Sequence, residues 1–346
     1  MKILITGGAG FLGLHLAHFF KEKKHKVSLL DIQEFDKREY SKGFEFFQVD
    51  VRDKKALEEA IKGQDIVIHA AAALPLWTKE EIISTNVEGA KNVLSLSLKH
   101  KVKRVIHISS TAVYGVPEKH PIEENDPLVG VGAYGESKIE AEKICKRYLK
   151  KGLNVTVIRP KTFVGTRRLG VFEILFDWVH DGKKIPVVGN GKNKYQLLDV
   201  DDLVEVVYLF TLKNRKIYND FFNIGAEEFS TVNEDVGALC QSAGSGASVF
   251  PTPAFLVKNA LRFFELLNLS PLYQWVYETA DKDSYVSIEK LKKVLNWSPK
   301  YSNAKALIKS YKWYLKHYDQ VKSKQSGVTH TVGWKQGIIG FFKKFM

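Results

Sequence analysis

The sequence predicts an α/β fold, a doubly wound parallel sheet followed by a smaller, mostly helical C-terminal lobe, and three observations carry that expectation. Short apolar runs of strand length alternate with amphipathic runs of helix length through the first 160 residues. The first apolar run ends directly in glycines at positions 7, 10 and 13, the strand, tight turn, helix order of an anion-binding turn. An acid, Asp31, closes the second apolar run about twenty residues after that turn, where a dinucleotide fold places the group that meets a ribose.

Each element follows in order. Gly7, Gly10 and Gly13 let backbone approach a pyrophosphate, and the N–H groups of Phe11, Leu12 and Gly13 open the next helix toward it. Leu14, Leu16, Ala17, Phe19 and Phe20 suit an amphipathic helix that ends in the basic run 21–26. Residues 27–30 form a second strand, and Asp31 at its end favours NAD over NADP by accepting from ribose hydroxyls and repelling a 2′-phosphate. Lys37 and Arg38 temper that preference. A third strand, 44–49, leads to Asp50 and Val51, where a carboxylate faces the adenine amino group. A helix over 54–61 and a strand over 65–68 follow. His69 at that strand's end reads as a hydrogen-bonded structural residue, while the small Ala70, Ala71 and Ala72 let a cofactor cross the sheet. Leu74 and Trp77 form an apolar loop suited to wall a substrate site. A long helix, about 79–100, carries Asn86 and Gly89, and 104–108 is the fifth strand.

That strand empties into Ser109-Ser-Thr-Ala-Val-Tyr-Gly115, and Tyr134-Gly-Glu-Ser-Lys138 begins the next helix. Tyr134 and Lys138, four apart, share one helical face. An ammonium beside a phenol stabilises phenolate and lowers its pKa from about 10, which makes the tyrosine a base near neutrality. A hydroxyl from the neighbouring strand end can hydrogen-bond the substrate oxygen that loses a proton.

These residues together resemble an extended short-chain dehydrogenase/reductase of the NAD-dependent epimerase/dehydratase group. The matching stretches are Thr6-Gly-Gly-Ala-Gly-Phe-Leu-Gly13, Asp31, Asp50, His69-Ala-Ala-Ala72, Asn86-Val-Glu-Gly89, the Ser109 to Gly115 and Tyr134 to Lys138 segments, Arg159-Pro160 and Val200-Asp-Asp-Leu203, over about residues 1–210. The resemblance implies a Rossmann domain with bound NAD, Tyr134 as acid/base, Lys138 on the nicotinamide ribose, and Ser110 on the substrate oxygen. It prefers Ser110 to Thr111, because the family's catalytic hydroxyl sits four residues before the Tyr-Gly pair. It also implies that Asn86 and Pro160 border the cofactor, and that the chain forms a homodimer through helices near 79–100 and 132–150.

Residues 154–159 read as a sixth strand, and Arg159-Pro-Lys-Thr-Phe-Val-Gly165 resembles the segment that passes under the nicotinamide. We expect residues 1–165 to form the cofactor domain, 166–318 a substrate lobe interleaved with the end of the sheet, and 319–346 a linker and tail. Thr111, Thr162, Arg168, Lys192 and Tyr195 are the expected substrate contacts, with Arg168 and Lys192 as cations for a diphosphate. Two departures from the family narrow the chemistry. Lys194-Tyr-Gln-Leu-Leu198 stands where many nucleotide-sugar members carry a diphosphate-binding arginine, and Thr111-Ala112 stand where sugar 4,6-dehydratases carry an Asp-Glu pair.

The 346 residues, 45% hydrophobic and 26% charged, suffice for a large core, and the +13 formal charge favours anionic partners. Cys145 and Cys240 are isolated, so neither a disulfide framework nor a metal site is expected, and the chain reads as cytoplasmic with no leader. No nucleic-acid motif accompanies the charge. Trp334, Ile338, Phe341, Phe342 and Phe345 would share one face of a basic amphipathic helix over 333–346, suited to peripheral membrane contact. The leading expectation is an NAD-dependent epimerase or dehydrogenase acting on a secondary alcohol of a nucleotide-diphosphate sugar. A 3β-hydroxysteroid or other lipid-alcohol dehydrogenase with net NADH formation is the alternative, and a non-catalytic dinucleotide sensor a third.

Overall fold

The six expected strands are β1 (Lys2–Thr6), β2 (Lys26–Asp31), β3 (Glu45–Gln48), β4 (Ile66–His69), β5 (Arg104–Ile108) and β6 (Val155–Pro160). Between them run α1 (Phe11–Glu22), α2 (Lys54–Ile61), α3 (Lys79–Ile83), α4 (Gly89–Lys99) and α5 (Gly132–Lys150), with a π-helical turn over Ser84–Glu88 joining α3 to α4. This computed structural model describes all residues except 37, 41, 76, 267–273, 324–325, 328–332, 335–342 and 344–346, and omits the side chains of 264–266, 274–276, 326–327 and 333–334.

Beyond β6 lie β7 (Phe163–Val164), α6 (Phe172–His180), β8 (Lys184–Val188), β9 (Leu198–Asp199), α7 (Val200–Leu212), β10 (Phe221–Ile224), α8 (Val232–Ala243) and β11 (Ser248–Thr252). The helices α9 (Ala254–Leu266), α10 (Gln274–Thr279), α11 (Glu289–Leu295), α12 (Asn303–Lys316) and α13 (Tyr318–Lys322) complete the lobe. The sheet has seven strands in the order β10-β6-β5-β4-β1-β2-β3, every neighbouring pair parallel. Its central strands are buried along their whole length, which is why they read as continuous apolar runs. The α1 and α7 side packs Ile3, Ile5, Phe20, Leu203, Val207 and Phe222 into one core, and the α2, α4 and α5 side packs Leu4, Leu57, Val93 and Ile144 into another.

Sequence periodicity did not indicate β10, α8 or the parallel β8–β11 pair. The lobe has its own core, centred on Phe176, Trp178, Leu239, Tyr311 and Tyr314. From the segment beyond residue 165, α7 returns to cover the sheet and β10 joins it as an edge strand. Most of the expected tail helix lies outside the described residues. Gly333–Trp334 is not helical but a two-residue strand paired with Ser326–Gly327. Lys343 reaches back to the carboxylates of Asp177 and, at 2.7 Å, Asp181 on the body of the chain. Among the described residues no helix is long and apolar enough to cross a membrane.

The first turn depends on the absence of one side chain. A Cβ on Gly13 would stand 2.1 Å from the Gly7 carbonyl oxygen and 2.7 Å from Gly8 Cα, so α1 packs on the turn at backbone contact. Gly13→Ala should therefore lower stability by about 1–3 kcal/mol, read from the urea midpoint, as overpacking of a closed contact does; an unchanged midpoint would contradict this packing.

Candidate active site

The carboxyl ends of β1, β2, β4, β5 and β6 border a cleft of about 350 Å3, which runs from the glycine turn to the start of α5. At one end Gly7 adopts φ +74°, and a Cβ there would lie 2.7 Å from the carbonyl carbon of Ala70 and the nitrogen of Ala71. Only glycine tolerates both the left-handed backbone and that approach. Gly10 caps α1 without a side chain, so the first-turn N–H groups of Leu12 and Gly13 are left for an acceptor outside the helix. Asp31 accepts from Ala9 N at 2.9 Å and Gln33 N at 3.0 Å, which braces the turn; burial nonetheless holds its carboxyl above the ordinary value. Asp50 is gripped by Arg52, Nε to Oδ1 at 3.0 Å and Nη2 to Oδ2 at 2.6 Å, and this pairing lowers its pKa. Val51 and Ala70 to Ala72 complete this wall.

Ser110, Tyr134 and Lys138 line the other end. Ser110 caps the 3-10 turn Thr111–Tyr114, its Oγ accepting from Ala112 N at 3.1 Å. The Lys138 ammonium donates to the Ile108 carbonyl at 3.1 Å and stands 5.7 Å from the Tyr134 ring centroid. The expected acidification of the phenol is not what this arrangement produces. Burial pushes Tyr134 up to about 12, with hydrogen bonding to Ser110 opposing only part of it. Burial also brings Lys138 down to about 8 against the pull of Glu142. The physical reason is that desolvation penalises phenolate and ammonium alike, and the ammonium is already engaged by a carbonyl.

One turn beyond Lys138, Glu142 forms a buried bidentate pair with Arg159, Nε to Oε1 at 2.8 Å and Nη2 to Oε2 at 2.6 Å. Ser109 donates to the same carboxylate at 2.7 Å, and Arg159 Nη1 donates to the Tyr114 hydroxyl at 2.6 Å. This network ties α5 to the ends of β5 and β6. The Glu142 role was open to a sequence argument, since it continues the four-residue spacing of Tyr134 and Lys138; its partner was not.

Leu74, Trp77, Pro160 and Thr162 line the cleft as expected. Asn86 does not: it is buried behind the wall, accepting from Ala73 N at 2.8 Å and donating to Ser137 Oγ at 3.0 Å, so it holds the alanine loop against α5. Thr111 is also off the cleft, donating to the Pro160 carbonyl at 3.3 Å. Arg168 lines the cleft, but at the glycine turn rather than in the lobe, bonded to the Ala9 carbonyl and the Glu39 carboxylate. Lys192 is exposed on a loop away from the cleft, and Tyr195 stands behind Thr162, hydroxyl to hydroxyl at 3.4 Å. Sequence reasoning missed Lys161, which lines the cleft between Pro160 and Thr162. Among the described residues no cluster of His, Cys, Asp and Glu is arranged to hold a metal ion.

A doubly wound sheet with a glycine turn and a Ser, Tyr, Lys constellation on one cleft defines a Rossmann-type enzyme that works with a dinucleotide. The chain belongs to the NAD dependent epimerase/dehydratase family, whose model matches residues 3–225. It is 29% identical over 315 residues to the UDP-N-acetyl-alpha-D-glucosaminuronate decarboxylase of Bacillus cytotoxicus, covering 86% of this chain and 97% of that one. It is 31% identical over 251 residues to the N-acetyl-alpha-D-glucosaminyl-diphospho-ditrans,octacis-undecaprenol 4-epimerase of Escherichia coli O157:H7, covering 70% and 72% of the two chains. The crystal structure of the Thermotoga maritima UDP-glucose 4-epimerase has the same fold, with a TM-score of 0.77 at 24% identity over 92% of this chain and 100% of that one. The family's cofactor is NAD, and the cleft fits it: an uncapped helix start for a pyrophosphate, small alanines beside it, and Asp31 one strand away.

Two predictions follow from the buried groups. Arg159→Met leaves Glu142 without its guanidinium and should cost about 3–5 kcal/mol in urea unfolding; a loss under about 1 kcal/mol would show that the pair does not fasten α5. His69, bonded to Thr6 Oγ1 at 2.8 Å, is held neutral by burial with its pKa lowered to about 3. Because the folded value lies below the unfolded one, its contribution is complete above pH ~6.5 and is lost as the pH falls, by about 2 kcal/mol between pH 7 and 5. Asp202, raised to about 6 chiefly by burial, works in the opposite direction, so the test is the difference between wild type and His69→Gln. The variant should show the flatter stability profile below pH ~6.5, and identical slopes would refute the assignment.

Proposed function

We propose that this enzyme is an NAD-linked epimerase acting on a secondary alcohol of a nucleotide-diphosphate sugar. One observation carries the reading: Ser110, Tyr134 and Lys138 stand on the same cleft as the glycine turn, and the apolar Leu74, Trp77 and Phe172 line it with them. The decarboxylase and the undecaprenol-linked epimerase named above act on sugars carried by a diphosphate, a uridine nucleotide's in the first and a polyprenol's in the second, which supports a diphosphate-linked sugar as substrate. The sterol alternative has no such support. The dehydratase reading lacks its carboxylates, since Thr111 is tied to Pro160 and Ala112 is buried.

NAD, when bound, supplies the hydride acceptor and a cationic ring whose charge favours phenolate. The residues of the chain do the rest. Tyr134 takes the proton of the alcohol as the carbon is oxidised and returns it when the ketone is reduced from the other face, so the phenol ends as it began. Ser110 hydrogen-bonds the oxygen whose charge changes. Lys138, held by the Ile108 carbonyl, offers its remaining donors to the ribose. Leu74, Trp77 and Phe172 keep water from the ketone.

Tyr134→Phe should lower the rate of sugar epimerisation about 10²–10⁴-fold while leaving NAD binding unchanged. Undiminished turnover would overturn the acid/base assignment. Stoichiometric accumulation of free reduced cofactor by the wild type would replace epimerisation with net dehydrogenation.

A further inference from the structure

Helix α9 carries apolar residues on both of its faces. Val257, Lys258 and Leu261 turn toward the lobe, Leu261 buried and the other two half-buried. On the opposite side Leu256, Ala260 and Phe263 recur at helical spacing with Phe255 beside them, and all four are exposed, Phe255 by 75% and Leu256 by 63%. The outer face of a surface helix is ordinarily polar. Phe250, Pro251 and Pro253, on β11 and just after it, are exposed as well, so the apolar surface runs from the strand into the helix. Apolar side chains scattered singly over a surface call for no explanation, whereas a run of them marks a surface made for contact.

The charges around this surface have one sign. Arg262 donates to Glu278 Oε1 at 2.6 Å and Lys258 pairs with Asp281 at 2.6 Å, so these two acids are neutralised by the helix itself. Lys184, on the strand paired with β11, is exposed with its ammonium 5.8 Å from the Phe250 ring centroid. Lys192 and Lys282 are exposed on two segments that meet at the start of α9: a Cβ on Gly189 would lie 3.9 Å from Ala254 Cβ and 3.1 Å from Asp281 Cβ, and Asn193 donates to the Lys282 carbonyl at 3.0 Å. Among the described residues these three lysines form no ion pair. The acid beside them, Asp283, accepts from the Lys194 N–H at 2.8 Å.

We propose that the exposed face of α9, with Phe250 and the lysines around it, docks the enzyme on an anionic lipid surface. Charge selects this occupant. A twofold contact with a second copy would set the three lysines against their own copies. Anionic headgroups instead accept the lysines while Phe255, Leu256 and Phe263 enter the boundary between headgroups and acyl chains. The helix has 13 residues, about 20 Å, so it lies in that boundary and does not cross the bilayer.

The test is co-sedimentation of the full chain with vesicles of phosphatidylglycerol and of phosphatidylcholine. Wild type should bind the phosphatidylglycerol vesicles at least about tenfold more tightly, and added salt should narrow the difference. The double variant Phe255→Ser, Leu256→Ser should lose at least about tenfold in that binding with its urea midpoint unchanged. Ala260→Glu, a single change on the same stripe, should lose about fivefold, which keeps the test open if the double variant does not fold. Binding that both variants retain, as a different membrane-binding segment would give, overturns the proposal, and so does wild type that binds neither vesicle. Self-association without lipid that the double variant abolishes would assign the face to a second copy and overturn it too.

Discussion

The bidentate pair between Arg159 and Glu142 is the interaction on which the chemistry of this chain depends. It joins the middle of α5 to β6 through charges that water does not reach, and it collects Ser109 and Tyr114 from the end of β5 and the turn beyond it. The ends of β5 and β6, the turn after β5 and the middle of α5, which converge only in the folded state, are thereby fixed to one ion pair. Tyr134 and Lys138 lie on the same helical face, two turns and one turn before Glu142, so their distance from Ser110 follows from that anchor. A loose α5 would leave the glycine turn intact and the proton chemistry undone.

Burial then decides the charge state of what the anchor positions. The same desolvation that raises Tyr134 to about 12 lowers Lys138 to about 8 and Lys161 to about 7. The end of the cleft beside α5 thus holds a neutral phenol and a reluctant ammonium group. In the proposed mechanism a cationic nicotinamide beside the phenol would act in the direction that the folded chain resists. Proton chemistry of that kind would be coupled to cofactor occupancy, because the phenol would reach its working protonation state only with the ring in place.

Much of the sheet was legible because parallel strands covered on both faces must be apolar throughout, and the runs of β1, β4, β5 and β6 show nothing else. The cofactor half of the cleft was legible for a related reason, since Gly7, Gly13, Asp31 and Ala70 to Ala72 answer to backbone geometry and strand order. The lobe was not. β10, α8 and the β8–β11 pair are short and fixed by contacts from distant segments, and local periodicity carries no record of those. The same limit applies to single residues. Asn86 is polar and near the cleft in sequence, yet it serves the loop behind it, and Arg168 turns out to brace Ala9 and Glu39 across more than a hundred residues.

In the proposed chemistry a half-buried phenol and the dinucleotide share one cleft, and the charge of the ring favours the ionised phenol. This is tested most directly by ultraviolet titration of Tyr134, taken as the difference between wild type and Tyr134→Phe, with and without oxidised NAD. The account predicts ionisation far into the alkaline range for the chain alone and a fall of at least about two units when NAD is added, as a neighbouring positive charge demands. A Tyr134 signal that NAD leaves unmoved, with binding confirmed in the same sample, would place the ring away from the phenol and contradict it.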